Sequence, residues 1–355
     1  MRSGRSTADA GAEGPAATAE PTRSRVPTRA WLQPGLIGLT ILAAFIAAYI
    51  GLQRDPRPHD LPVSVAGGRL AQEVRRALGP SLHVIEVPTP AAGREALERR
   101  EVVASLSLSS SGSSGALHLD VAGANGQSTT GIVTGLVRAY AHGSDQRLTV
   151  DDVVPLVKYD ARGLAGFYLS FGVTLAGFVV GQIVLGATSV LPLRHRFVLI
   201  AVFSAAAGIL AAILAGPVFG AVPAPVIRLA IVLALLAAAA AFTTLALGAY
   251  MGPIGVPVAT LILLTLGNAT SGAVIGANLL PGPARYISAA LPPGAAVRAI
   301  GNLSYFDGTT MLMPMITLAI WVVGAALLVA VRSRMPAKRS SGRPSSPQPG
   351  VRNSS

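Results

Sequence analysis

Neutral polar side chains interrupt several long apolar segments of this sequence. They are the main side chains in those segments that can form hydrogen bonds. Five of them stand well inside such segments: Gln182, Thr265, Asn268, Thr270 and Asn278. Such groups often hydrogen-bond between helices and hold a bundle together. The less favoured alternative is that they line a path for an amphiphilic molecule, and the sequence leaves it open.

Motifs for catalysis and nucleotide binding are absent from the sequence. There is no G-x-x-x-x-G-K-[ST] phosphate loop, so ATP would have to be bound by a partner subunit. H-E-x-x-H and G-x-S-x-G are also missing. The five histidines show no metal-ligand spacing, and there is no cysteine. We therefore expect no enzyme activity, no metal and no cofactor in this chain.

The polar groups are carried by apolar segments that are long enough to cross a membrane. Only 12% of the 355 residues are charged, whereas soluble proteins have about 25%. A spanning helix needs about 20 apolar residues. The charge-free stretches predict an α-helical polytopic membrane protein with six transmembrane helices, at residues 32–52, 164–191, 197–215, 227–248, 256–280 and 311–331.

The interiors of these segments carry two further signals. Gly177 with Gly181, and Gly272 with Gly276, have the small-x-x-x-small spacing that lets helices approach closely. No segment has an ionisable side chain in its middle, whereas ion-coupled transporters usually need one. The pattern therefore argues against a pump or transporter that is driven by an ion gradient.

Positive charge is concentrated beside the apolar segments. Residues 1–31 carry five Arg against three acids, residues 332–355 carry six basic residues and no acid, and Arg194 and Arg196 flank a short turn. The positive-inside rule then places both termini in the cytoplasm and residues 53–163 outside it. Attraction to anionic lipid accounts for the basic tails, which we expect to be disordered, so no nucleic-acid partner is needed.

The first apolar segment has to be distinguished from a signal peptide. Residues 32–52 could be a cleaved signal peptide, but the stretch is longer than the usual 7–15 or so apolar residues. No small-x-small cleavage site follows it, which favours an uncleaved anchor.

Arg outnumbers Lys by 26 to 2, which is typical of a GC-rich bacterial genome.

Strand and helix patterns alternate between the first two apolar segments. Strands are predicted at residues 62–66, 83–87, 101–108 and 116–121, and helices at residues 69–78, 91–99 and 127–142. This alternation predicts a small α/β domain, inserted outside the cytoplasm between helices one and two.

The segment at residues 281–307 is too apolar for a free loop and too often broken for a span. Proline and glycine interrupt it, and Arg285, Tyr286 and Ile287 suit the head-group boundary of a membrane. We expect short helices that lie at the outer membrane surface. A simple extended loop is the alternative.

Four short motifs, in this order along the chain, resemble a known family. They are LPVSV at 61–65 followed by REALERR at 94–100, YDARGL at 159–164, LPPGAA at 291–296, and YFDG at 305–308 followed by Ile320 and Trp321. The layout resembles permease subunits of ABC type-2 exporters, and more narrowly the YhgE/Pip (phage infection protein)-like branch. The resemblance covers about residues 32–331 and implies a dimer that works with a separate ATP-binding subunit.

Two function classes follow from these patterns. The first is the membrane subunit of an ATP-driven exporter of amphiphiles such as drugs, lipids or peptides. It would be a homo- or heterodimer in the lipid of the bacterial cell membrane. The second is a non-transporting, membrane-anchored surface or secretion-accessory protein whose outer domain binds a partner. The very short turn at 194–196 and the uncharged connection at 250–257 offer little docking surface for an ATPase and favour the second.

Overall fold

The structure is a computed structural model that describes residues 28–335, except residues 53, 55, 57, 59, 80 and 110–115. The predicted tails therefore lie outside the described residues at 1–27 and 336–355. The chain divides into two units, Met1–Leu39 and Thr40–Ser355. Helix α1, Thr28–Ile46, begins in the first unit and continues as a π-helical turn, Ala47–Gly51, in the second.

Five helices of the described chain are long and apolar enough to cross a membrane: Leu32–Gly51, Ala165–Gly186, Leu193–Val218, Val226–Ala269 and Leu312–Arg334. Large apolar side chains on their surfaces are open to the surroundings, such as Ile227 (77% exposed) and Met313 (70% exposed). Apolar surface on this scale is unusual on a soluble protein. The fold is mostly helical and consistent with a membrane protein, as predicted.

A five-stranded sheet with helices forms the predicted α/β domain. Its elements are β1 Leu61–Ala66, α2 Gly68–Leu78, β2 Leu82–Val87, α3 Pro90–Glu98, β3 Ala104–Leu108, β4 Leu117–Val121, α4 Gln127–Gly143 and β5 Leu148–Asp152. The strand order is β2-β1-β3-β4-β5, and only the β3–β4 pair is antiparallel. The α/β prediction is confirmed, and strand β5 is added to it.

The two faces of the sheet are covered differently. Leu61, Val63 and Val65 of β1 are fully buried in a core that also includes Val133 and Val137 of α4. Helix α2 joins the same core, so α2 and α4 cover one face with aliphatic side chains. The short helix α3 packs against β1 and β3 separately from that core.

Four helices form a bundle: α5 Ala165–Gly186, α6 Leu193–Ile213, α7 Val226–Met251 and α12 Leu312–Arg334. Helix α7 is central and contacts the other three. Helix α7 is buried without interruption over residues 236–246. A Cβ on Gly181 would lie 2.6 Å from the carbonyl oxygen of Ala241, and one on Gly177 would clash with Ala237. These glycines therefore lie at the contact between α5 and α7, where small residues let two backbones meet.

One end of the bundle collects positive charge. The order of the glycine contacts shows that α5 and α7 run in the same direction. Arg332 Nε, near the end of α12, donates to the carbonyl oxygen of Ala249, near the end of α7, at 3.1 Å. Arg194 and Arg196, which the sequence assigned to a turn, lie in the first turn of α6 just after the end of α5, and Arg196 Nε donates to the carbonyl oxygen of Leu191 at 2.7 Å.

The segment predicted as a fifth span, residues 256–280, is helical only in its first part. It consists of α8 Gly255–Ala259, a π-helical stretch Thr260–Leu266 and α9 Gly267–Ala269. Gly272 and Gly276 follow in irregular backbone with φ of +79° and +74°. Only glycine adopts such values readily, so this pair makes turns and does not pack two helices. The expectation of helix packing at Gly272 and Gly276 is thus corrected.

The segment at residues 281–307 forms two short helices, α10 Gly282–Ala290 and α11 Pro292–Tyr305. Both have proline in the first turn, where its missing N–H costs nothing. Only α10 resembles the expected surface helix. Helix α11 instead packs against α5, α7 and α12 through small residues such as Ala295 and Ala299, which are fully buried. The expectation that the whole segment lies at a surface is corrected for α11.

Candidate functional site

Two of the five polar residues singled out in the sequence form side-chain hydrogen bonds within their own helix. Thr270 Oγ1 donates to the carbonyl oxygen of Leu266 at 2.7 Å, and Asn268 Nδ2 donates to that of Leu263 at 3.0 Å. Such bonds to the preceding turn satisfy a buried side chain locally. Asn268 Oδ1 is buried and has no hydrogen-bond partner among the described residues.

The remaining members of that set lie on three different segments. Thr265 is buried in the π-helical stretch, Gln182 is half-buried on α5, and Asn278 lines a cavity near the sheet domain. Of the five polar residues, Asn278 is the one that lines the cavity described below.

On α10, the three residues predicted for a membrane boundary differ in exposure. Tyr286 is 81% exposed, Ile287 is at the margin of exposure at 36%, and Arg285 is half-buried. An exposed aromatic ring beside a cation is compatible with a head-group environment.

A cavity of about 480 Å³ lies where the sheet domain meets the helical part, and we call it the junction cavity. Its volume is that of a small-molecule site. The residues used below line it from both sides: Arg100, Asn125, Thr129, Asn278, Arg298 and Leu312.

The break after α9 produces one wall of this cavity. The backbone between Ala269 and Gly282 is largely irregular, and the sheet domain rests on it. Ser128 Oγ donates to the carbonyl oxygen of Val274 at 3.2 Å, and Gly276 lies against Thr129 so closely that a Cβ would clash. Irregular backbone next to membrane helices is tolerated where protein buries it or where it lines a cavity.

Arg100 enters the cavity from the end of α3. Its φ of +61° is uncommon for a residue with a side chain, and its N–H bonds to the carbonyl oxygen of Leu97 at 3.0 Å. Its Nη1 donates to Oδ1 of Asn302, and its guanidinium lies 4.9 Å from the ring centre of Phe306. Burial, with a smaller effect of Arg298, lowers the pKa of Arg100 to about 10, so it stays charged at neutral pH.

Arg298 enters the same cavity from α11. Its Nη1 donates to the carbonyl oxygen of Ser288 at 3.1 Å, and its Nη2 to that of Ala289 at 3.2 Å. Burial lowers the pKa of Arg298 below its ordinary value. Within the described part of the chain, neither Arg298 nor Arg100 forms a salt bridge.

Two asparagines complete the polar groups of the cavity. Asn302 accepts from Arg100 and donates through Nδ2 to Thr310 Oγ1 at 3.0 Å. Asn125 Nδ2 is buried and lacks a hydrogen-bond partner among the described residues. The cavity thus has two positive charges and an unused donor.

Sequence reasoning missed Arg100 and Arg298 as a pair. Arg100 stood only inside a motif of the family resemblance, and Arg298 stood in the segment assigned to the membrane surface. The available signal was that Arg298 is the one charged residue between Tyr286 and Phe306, in an otherwise small and apolar sequence.

A second cluster of polar groups lies on the sheet and does not line the junction cavity. Ligand atoms of His118, Asp120 and Asp151 lie within 4.8 Å of one another. However, Arg94 Nη2 and Nε bind both carboxylate oxygens of Asp120, at 3.0 and 3.3 Å. Because the guanidinium occupies the buried carboxylate, the cluster is better described as an ion-pair network than as a metal site.

Comparison with known proteins gives no relative. No family model, no curated protein and no solved structure matches this chain.

Proposed function

We propose that the chain is the membrane-spanning permease subunit of an ATP-driven exporter of amphiphilic substrates, working as a dimer with a separate ATPase subunit in the bacterial cell membrane. The observation that carries the proposal is the junction cavity, which contains two arginines and several neutral polar residues in a largely apolar lining and lies beside the irregular backbone after α9. Discontinuous helices of this kind often form the substrate sites of transporters.

The cavity has an apolar neighbour, which suits a molecule with a polar and an apolar part. A cavity of about 80 Å³ shares Arg100 and Asn125 with the junction cavity, and it shares Ala221 with a groove of about 600 Å³ between α5 and α6. The groove is lined almost entirely by apolar side chains such as Leu169 and Phe203. Polar and apolar binding surfaces are therefore close together.

The energy source and the topology are part of the same proposal. The apolar helices carry no ionisable side chain in their middle, which favours ATP over an ion gradient. Six crossings with both termini in the cytoplasm agree with the positive charge at one end of the bundle. The segment at residues 255–276 would be the fifth crossing, leading from the end of α7 to the sheet domain.

A second function is favoured by the shortness of the connections at the positive end. Only residues 187–192 join α5 to α6, and Gly252–Ile254 is the whole connection after α7. These short connections offer an ATPase little surface to bind. In the second function, the chain is a membrane-anchored surface or secretion-accessory protein, and the sheet domain binds a partner.

The experiment that separates the two functions is co-purification with a defined ATPase. The chain would be expressed with the Walker-motif ATPase encoded by a neighbouring reading frame and purified in mild detergent. A stoichiometric complex whose ATPase activity rises with amphiphile supports the exporter. A chain that purifies without the ATPase, with no change in ATP hydrolysis, supports the accessory function.

A further inference from the structure

We propose that the junction cavity binds the anionic head group, a phosphate or a carboxylate, of an amphiphilic molecule, with Arg100 and Arg298 as its ligands. The proposal rests on the proposed function only in treating this amphiphile as cargo. Binding can be measured without transport, so the two proposals can fail separately.

The charge balance of the cavity is the first argument. Two guanidinium groups share one cavity, and burying like charges is costly unless a negative charge joins them. Asp160 lines the small adjoining cavity with Arg100, but its Oδ1 accepts the N–H groups of Leu164 (2.9 Å) and Ala165 (3.0 Å). In the described part of the chain, Asp160 forms no salt bridge with Arg100 or Arg298. A bound anion would supply the missing charge.

The donors are the second argument. Asn302 holds Nη1 of Arg100, and the carbonyl oxygens of Ser288 and Ala289 hold the Nη atoms of Arg298, so both guanidiniums are fixed in place. A fixed planar guanidinium matches the oxygens of carboxylate and phosphate groups. The buried Nδ2 of Asn125, which has no hydrogen-bond partner among the described residues, offers a further neutral donor in the lining of the same cavity.

The margin of the cavity indicates that the anion is attached to an apolar group. Leu312 and Met313, at the start of α12, line the cavity and are 67% and 70% exposed. A soluble anion would gain nothing from such a margin. An amphiphile could place its head group against the arginines and its apolar part along α12.

The test uses the full chain, purified and reconstituted in nanodiscs of phosphatidylcholine. Three probes are titrated while the melting temperature is followed: lysophosphatidylglycerol, lysophosphatidylcholine and inorganic phosphate. We expect the anionic lysophosphatidylglycerol to raise the melting temperature saturably. The zwitterionic lysophosphatidylcholine should raise the melting temperature at least tenfold less. Equal effects of the two lipids would overturn the proposal. So would a response to inorganic phosphate as strong as that to lysophosphatidylglycerol, because the site would then take the free anion.

Variants locate the binding site. Arg298→Gln and Arg100→Gln should each weaken the apparent affinity for lysophosphatidylglycerol about tenfold, as expected for loss of one charge-assisted contact. Arg138→Gln is the matched control, because Arg138 is exposed on α4 and does not line the cavity. Equal affinity in Arg298→Gln and Arg138→Gln would contradict the proposal.

A second variant covers the case in which loss of an arginine unfolds the protein. Asn125→Asp keeps the size of the side chain and places a carboxylate in the lining of the cavity that contains both arginines. We expect the ligand-free melting temperature to stay at or above that of the wild type, while the response to lysophosphatidylglycerol is lost. An unchanged response in Asn125→Asp would contradict the proposal.

Discussion

Arg100 of the sheet domain donates a hydrogen bond from Nη1 to Oδ1 of Asn302 on α11, across 202 positions of the sequence. The same guanidinium stacks over Phe306 at 4.9 Å. This contact fixes the sheet domain to the helical part at the wall of the junction cavity. The stability of the whole chain should therefore depend on it.

The first prediction concerns this contact. Asn302→Ala removes the acceptor for Arg100 and the donor to Thr310. Leaving a buried guanidinium without that acceptor should cost about 1–3 kcal/mol of stability, seen as a lower melting temperature. Ser304→Ala is the control, because Ser304 Oγ bonds only to the carbonyl oxygen of Ile300 one turn away. Equal melting temperatures for the two variants would show that the contact is unimportant.

The second prediction concerns the helix contact at Gly177. A methyl group there would clash with the carbonyl oxygen of Ala237, whereas Gly172 on the same helix has open space around it. Gly177→Ala should cost about 1–3 kcal/mol of stability through overpacking and thus lower the melting temperature, whereas Gly172→Ala should not. Thermal unfolding of the two variants in the same detergent checks this. If Gly172→Ala is the more damaging change, the α5–α7 packing is wrong.

The third prediction concerns topology. The chain has no cysteine, so single cysteines report position without background. Gln72→Cys, on the exposed side of α2, should react with an impermeant thiol reagent in cells with a permeabilised outer layer. Ser341→Cys should react only after the cytoplasmic membrane is broken. The reverse pattern of labelling would invert the topology.

The fourth prediction concerns the exposed surface of α10. Tyr286 is 81% exposed and Ile287 36% exposed, so changing both to Asp should leave protein levels and the fold of the sheet domain unchanged. Charge at the membrane boundary should nevertheless lower ATP-dependent efflux per molecule. If protein levels fall while efflux normalised to protein amount is unchanged, the residues serve packing only.

The sequence predicts the apolar helices and most of the sheet because those signals are local. Charge-free runs indicate the apolar helices, and alternation indicates β1 to β4. Strand β5 escapes this reasoning because Leu148–Asp152 is short, ends in two acids and is mostly exposed. Its identity as a strand comes from pairing with β4, which lies about 30 positions earlier.

The end of α9 and the junction cavity could not be predicted from the sequence, for other reasons. Residues 270–280 continue the uncharged composition of the preceding helix, so composition does not show that it stops at Ala269. The positive φ of Gly272 and Gly276 is visible only in the folded chain. Arg100 and Arg298 are joined by tertiary structure alone, and no spacing rule relates residues so far apart.

The most direct measurement of the central claim is transport in inverted membrane vesicles that contain the chain and a candidate partner ATPase with a Walker motif. A fluorescent anionic amphiphile is supplied outside, and its uptake is followed with and without ATP and with an uncoupler. The exporter account predicts uptake that requires ATP, persists with the uncoupler and falls in Arg298→Gln but not in Arg138→Gln. Uptake that is driven by a pH gradient in the absence of ATP, or no uptake by a complex that hydrolyses ATP, would contradict it.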